Sequence, residues 1–131
     1  MKVFVDTCYY IARLSSRDQW HERALKAIEP GMSLVTSSLV INETISLLQA
    51  RRHYSAALQF LRAARQNTAI QILYPDPVIQ TEGWNLYGRW GSVGANAVDC
   101  VNFALMHSLA IKRVFTFDQH FEAAGFRTLL G

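Results

Sequence analysis

The feature that most restricts this chain is an alternation: short, apolar, β-branched runs are followed by turns and then by stretches with apolar residues at helical spacing. Val3-Phe4-Val5 stops at Asp6-Thr7 and reads as a buried strand ending in a turn. Gln19 to Ile28 carries Trp20, Ala24, Leu25 and Ile28 at helical spacing, with Pro30-Gly31 as the stop. Leu34-Val35-Thr36 predicts a second strand, after which Ser37 or Ser38 caps a helix through Ile41, Ile45 and Leu48 to Arg51-Arg52. Ser55 to Arg65 predicts another amphipathic helix and Ile70 to Tyr74 a third strand, while Asp76-Pro77 opens a helix with proline in its tolerated first turn. Gly91 to Gly94 reads as a flexible loop and Asn96 as the N-cap of an apolar helix through Val98, Val101, Leu105 and Leu109. Arg113 to Phe117 predicts a fourth strand ending at Asp118, followed by a short helix to Ala124 and a last strand near Leu129. Such an order implies an α/β fold, a three-layer sandwich with a central, mostly parallel sheet covered by helices on both faces.

At 131 residues, 50% of them hydrophobic, the chain can bury one sizeable core and is short for two, so residues 1–131 are expected to form a single domain. The first apolar run is broken by Asp6, too early for a signal peptide or a membrane span, and a soluble cytoplasmic protein is expected. Cys8 and Cys100 lack the C-x-x-C spacing of a zinc or redox motif and read as reduced thiols in apolar surroundings. The formal charge of +3 mildly favours an anionic partner without specifying one.

Four acids stand out by position. In open α/β sheets the ligand crevice lies outside the carboxyl ends of the strands, and Asp6 and Asp118 each follow the last apolar residue of a predicted strand. Glu43 and Asp99 fall near the starts of helices that follow such edges, so all four carboxylates are expected to converge. Each also has a purely structural reading. Asp6 can cap a helix over Tyr9 to Leu14, Asp99 can partner an Asn96 cap, Asp118 can close a turn, and Glu43 can be a solvated helix-face charge. A shared edge for all four favours one site. Clustered carboxylates repel one another unless a cation neutralises them, and oxygen-only donors suit Mg²⁺ or Mn²⁺. An ion so held lowers the pKa of bound water and stabilises charge on a phosphodiester, which is hydrolytic nuclease chemistry.

The segments Val5-Asp6-Thr7, Ile41-Asn42-Glu43, Ala97-Val98-Asp99-Cys100 and Val114 to Phe121 resemble the PIN-domain family, and most of all its compact VapC-type toxins. The resemblance spans nearly the whole chain. It implies that Asp6, Glu43, Asp99 and Asp118 are catalytic metal ligands, that Thr7 or Thr116 supports them by hydrogen bonding, and that the substrate is RNA. It further implies a metal-dependent endoribonuclease acting as the toxin of a type II toxin–antitoxin pair. Gly94-Ala95-Asn96-Ala97 departs from relatives that place leucine with serine or proline before the third acid. The other readings are a PIN nuclease of RNA processing or decay without an antitoxin, and a catalytically silent PIN-like module binding RNA or protein.

Arg51 and Arg52 are candidate phosphate contacts, joined by Arg13, Arg17, Arg62 and Arg65 as possible flanks of the cleft. His120, two residues after Asp118, is a candidate substrate contact, although a surface turn also explains it. A homodimer is expected, partly from the resemblance and partly because half-hydrophobic composition exceeds what a small core hides. Its interface is expected on Trp84, Tyr87 and Trp90 or on the Tyr9-Tyr10 face. The antitoxin is expected to insert a basic side chain among the acids, where an arginine pairs with carboxylates in a bidentate way.

Overall fold

The computed structural model describes residues 1–130. β1 (Lys2–Val5), β2 (Ser33–Ser37), β3 (Ile70–Leu73), β4 (Arg113–Phe115) and β5 (Arg127–Thr128) form one sheet in the order β3-β2-β1-β4-β5, and every pairing is parallel. Parallel neighbours need crossovers, and helices supply them. α1 (Thr7–Leu14) and α2 (His21–Leu25) lie between β1 and β2, and α3 (Ser38–Ala50) and α4 (Tyr54–Gln66) between β2 and β3. α5 (Pro77–Trp90) and α6 (Ala97–Ser108) precede β4, and α7 (Gln119–Ala123) precedes β5. Val3, Phe4 and Val5 are wholly buried, as a central strand covered on both faces requires. This is the α/β sandwich expected from the alternation. Among the described residues no helix is long and apolar enough to cross a membrane.

The chain lays down β1, β2 and β3 in one direction and then returns to place β4 on the other side of β1. The strand order therefore reverses between β1 and β4, and beyond their carboxyl ends an open α/β sheet forms its ligand crevice. Phe4 pairs in register with Val35 on one side and Val114 on the other, which aligns these ends. Beneath them Tyr9 stacks on Phe115 with ring centroids 5.2 Å apart, anchoring α1 over the sheet. α5 and α6 pack closely because Gly83 has no side chain. A Cβ there would lie 2.6 Å from the Val101 Cα.

Four expected elements are corrected. The helix expected over Gln19 to Ile28 contracts to His21–Leu25. Of its periodic apolar positions Ala24 is buried and Trp20 stacks on Phe117, whereas Leu25 and Ile28 stay exposed, so only the N-terminal part of the expected face finds a surface to pack on. The strand expected to reach Phe117 ends at Phe115, because the following amides turn away from the ladder. Phe117 N–H donates to Cys8 Sγ and Asp118 N–H to Thr116 Oγ1. The last strand is Arg127–Thr128, just before the expected position, and Tyr74 lies outside β3.

Candidate active site

Asp6, Glu43, Asp99 and Asp118 line one cleft of about 430 Å³ at the carboxyl ends of β1 and β4. Each reaches it by a separate local device. Asp6 is the N-cap residue of α1, held by its backbone N–H bond to the Phe115 carbonyl. Glu43 projects from the second turn of α3, whose start is fixed by Ser37. The Ser37 Oγ accepts from Val40 N–H and donates to Asn102 Oδ1 at 2.7 Å, tying the α3 start to α6. Asp99 forms a capping box with Asn96, its Oδ2 accepting from Asn96 N–H while Asn96 Oδ1 accepts from Asp99 N–H. Asp118 Oδ1 accepts from His120 N–H and so caps α7. The capping and turn readings of Asp99 and Asp118 thus hold alongside their place in the cleft.

Electrostatics follow from burial. The Asp6 carboxyl is pushed from 3.8 up to about 6, first by loss of water, with the Thr116 and Cys8 hydrogen bonds pulling the other way and Glu43 adding repulsion. Asp99 rises to about 7, again chiefly by burial, and then by the charge of Asp6, with smaller repulsion from Asp118 and Glu43. Asp99 therefore feels the charge of all three other acids. Arg51 lines the same cleft, whereas Arg52 is not among its lining residues.

Thr116 is fully buried and donates its hydroxyl proton to Asp6 Oδ2 at 2.9 Å while accepting from Asp118 N–H. One hydroxyl therefore joins the acids that end β1 and β4. Thr7 Oγ1 is buried at the cleft with no hydrogen-bond partner. Such an orphaned oxygen at a polar wall suits a water or ion ligand shell.

Two further groups escaped the reading of the sequence. Cys8 does not sit in apolar surroundings. Its half-buried Sγ accepts from Phe117 N–H, lies 3.1 Å from Thr116 Oγ1 and donates to Asp6 Oδ2. Burial, then the Asp6 charge, pushes its thiol up to about 12, so it remains a protonated donor. Asp18 is a fifth acid on the cleft wall, placed by a turn in which its Oδ1 accepts from Trp20 N–H. Neither has a motif around it that marks it in the sequence.

A donor set for a cation is present. Asp99, Asp118 and His120 offer atoms all within 4.8 Å of one another, whereas among the described residues Asp6 and Glu43 join no such group of three. His120 Nδ1 stands 2.6 Å from Asp118 Oδ1, out of hydrogen-bond alignment, and its Nε2 lies under Gly94. Its place is against Asp118 and the loop before α6. Tyr9 and Tyr10 are both buried within the chain, which removes the Tyr9-Tyr10 face as an intermolecular surface.

The family model for the PIN domain matches residues 3–127. The chain belongs to this family. Similar proteins of the PIN-domain family include the 23S rRNA-specific endonuclease VapC20 of Mycobacterium tuberculosis, 31% identical over 126 residues that make up 95% of each chain. The crystal structure of that VapC20, described as a Sarcin-Ricin loop cleaving toxin, superposes with a TM-score of 0.84 at 29% identity, covering 95% of both chains. The fold alone is shared more widely. FitAcB from Neisseria gonorrhoeae matches with a TM-score of 0.70 at 15% identity, over 98% of this chain and 96% of that one. VapBC-1 from nontypeable Haemophilus influenzae matches at 0.68 and 17%, with the same coverage. The PIN-domain match bears out the fold and family read from the four acidic segments.

Proposed function

We propose that this chain is a metal-dependent endoribonuclease hydrolysing RNA phosphodiester bonds, and the toxin of a type II toxin–antitoxin pair. The observation that carries this reading is the convergence of Asp6, Glu43, Asp99 and Asp118 on one cleft in a chain 31% identical, over 95% of its length, to an rRNA-specific endonuclease. The VapC20 substrate makes 23S rRNA, and its sarcin–ricin loop in particular, the first RNA to test.

The residues fit a hard divalent cation. Oxygen donors predominate, Asp6 and Asp99 hold pKa values raised first by burial and then by neighbouring carboxylates, a cost that a cation relieves, and Thr7 Oγ1 lacks a partner. Asp99 and Asp118 would hold Mg²⁺ or Mn²⁺ most directly, with Asp6 and Glu43 acting directly or through water in its shell. Bound there, the ion supplies an acidified water and charge stabilisation at phosphorus. The chain's own contribution is orientation. Thr116 and Cys8 fix one oxygen of Asp6, Asn96 fixes one of Asp99, and Arg51 offers a cation to a substrate phosphate. His120 steadies Asp118 or approaches the substrate from the same side.

Incubation with a sarcin–ricin hairpin and Mg²⁺ or Mn²⁺, followed by mapping of the cuts, tests the proposal. Asp6→Asn should reduce cleavage by at least a hundredfold while leaving the fold intact by circular dichroism, and chelation should do the same. Full cleavage in metal-free buffer would overturn the mechanism. For the toxin assignment, an adjacent small gene should encode a protein that co-purifies with this chain and suppresses cutting.

A further inference from the structure

A second groove opens beside the acidic cleft. It has a volume of about 720 Å³, runs between α1 and α4, and shares Ile11 and Arg51 with the cleft, so the two adjoin. Their chemistry is opposite. Five acids line the cleft, namely Asp6, Asp18, Glu43, Asp99 and Asp118, and no acid lines the groove. The groove carries Arg17, Arg51 and His53 along its rim over an apolar floor that includes Leu48 and Phe60. Among the described residues no arginine or lysine lies within ion-pair distance of a carboxylate, so these guanidinium groups are not neutralised within the chain.

We infer that this groove is the subsite that holds the RNA strand flanking the scissile phosphate. The inference rests on the ribonuclease reading above and extends it to the path of the substrate. A cluster of carboxylates repels a polyanion, so a strand entering the cleft needs compensating cations on either side of the reacting phosphate. Arg51 stands where cleft and groove meet and takes the adjacent phosphate. Arg17, on the loop after α1, takes the next one along the groove. Unpaired guanidinium groups bind phosphate through charge-assisted, bidentate hydrogen bonds, and releasing counterions from the RNA adds to the affinity. The apolar floor suits the sugar and an unstacked base of a single-stranded loop, which sequence-selective RNA-binding proteins favour over helical RNA. A protein segment would also find the apolar floor acceptable, but the unneutralised cations and the absence of any acid favour a polyanion.

The test uses Arg17, which lines the groove and not the cleft, and a 23S rRNA sarcin–ricin hairpin as probe. Arg17→Glu should lower kcat/KM about tenfold, with most of the loss in KM, and should reduce the slope of log affinity against log salt by about one unit. Arg17→Lys should recover most of the affinity. Arg127→Glu carries the same charge change at the start of β5, at the other end of the strands, and should match the parent. Binding is read separately by fluorescence anisotropy in the Asp99→Asn background, where the RNA stays uncut. An unchanged KM and salt slope in Arg17→Glu would overturn the inference, as would an equal loss in Arg127→Glu. If Arg17→Glu leaves RNA cleavage untouched but abolishes inhibition by the co-purifying antitoxin, the groove belongs to a protein partner and the inference also fails. A parent protein that cuts no RNA would instead sink the ribonuclease reading on which all arms depend.

Discussion

Asp99 concentrates the physics of the site in one side chain. It closes the first turn of α6 through its capping box, yet its buried carboxyl faces three other acids and rises to about 7. In the unfolded chain the same group titrates near 3.8, as does Asp6, which rises to about 6 on folding. Between these values the folded state holds protons that the unfolded state has released, so stability falls as pH rises. The contribution of the pair is fully present below about pH 4 and is lost as pH climbs through 6 to 7. Metal-free protein should therefore melt at a higher temperature at pH 5 than at pH 8, and Asp99→Asn should flatten that dependence. The effect is on the order of 1–3 kcal/mol. Saturating Mg²⁺ should raise the melting temperature more at pH 8 than at pH 5, because the ion requires the ionised carboxylates. Scanning fluorimetry in chelator and in Mg²⁺ measures both. A pH slope identical in the parent and Asp99→Asn would show that these carboxyls are not coupled as described.

Helix ends decide several placements that residue types alone leave open. α3 stops in a Schellman motif, in which His53 N–H bonds to the Leu48 carbonyl and Arg52 N–H to the Gln49 carbonyl. That motif puts Arg52 at φ 62°, the left-handed region that favours glycine. The turn leaves Arg51 on both the cleft and the groove and keeps Arg52 out of both. Two adjacent arginines that look equivalent in sequence thus separate by conformation. Arg52→Gly should stabilise the protein by about 1 kcal/mol, raising the melting temperature by a few degrees, with little effect on RNA affinity. Arg51→Ala should weaken RNA binding. Thermal melts and anisotropy on the pair check this, and equal losses of affinity from both would return Arg52 to the substrate path.

At the scale of the whole molecule, the unfinished surface is α5. Val78, Trp84 and Tyr87 are exposed there, with Trp84 retaining 60% of its accessible area, while the tyrosines once grouped with them as a possible interface are buried at the core. We expect the face of α5 that carries Trp84 and Tyr87, three residues apart, to be covered in a homodimer, since adjacent exposed large apolar groups mark association surfaces. Light scattering at micromolar concentration should give twice the 14.8 kDa chain mass, and Trp84→Glu should shift it toward the monomer. A parent protein that stays monomeric would rule the dimer out. RNA cleavage by a folded Trp84→Glu monomer would show further that one chain contains a complete site.

The order of strands and helices, the parallel sheet and the positions of the four acids were legible in the sequence because they depend on local periodicity and on acids placed at strand ends and helix starts. Asp6 after Val5 and Asp99 after Asn96 need only the rule that such edges share one side of an α/β sheet. What depends on atoms far apart along the chain required the fold. Thr116 reaches Asp6 across 110 positions, and Cys8 becomes part of the same hydrogen-bonded group only because β1 and β4 are neighbours. Asp18 reaches the cleft through an irregular turn that no periodicity announces. The helix expected from Gln19 to Ile28, just after it, shrank because helical spacing describes which residues would share a face, not whether a surface exists to bury the whole of that face. Spacing along the chain is thus sufficient for elements and for the sheet edge they share, whereas the partners of each carboxylate are chosen by strand order, which sets which distant side chains meet.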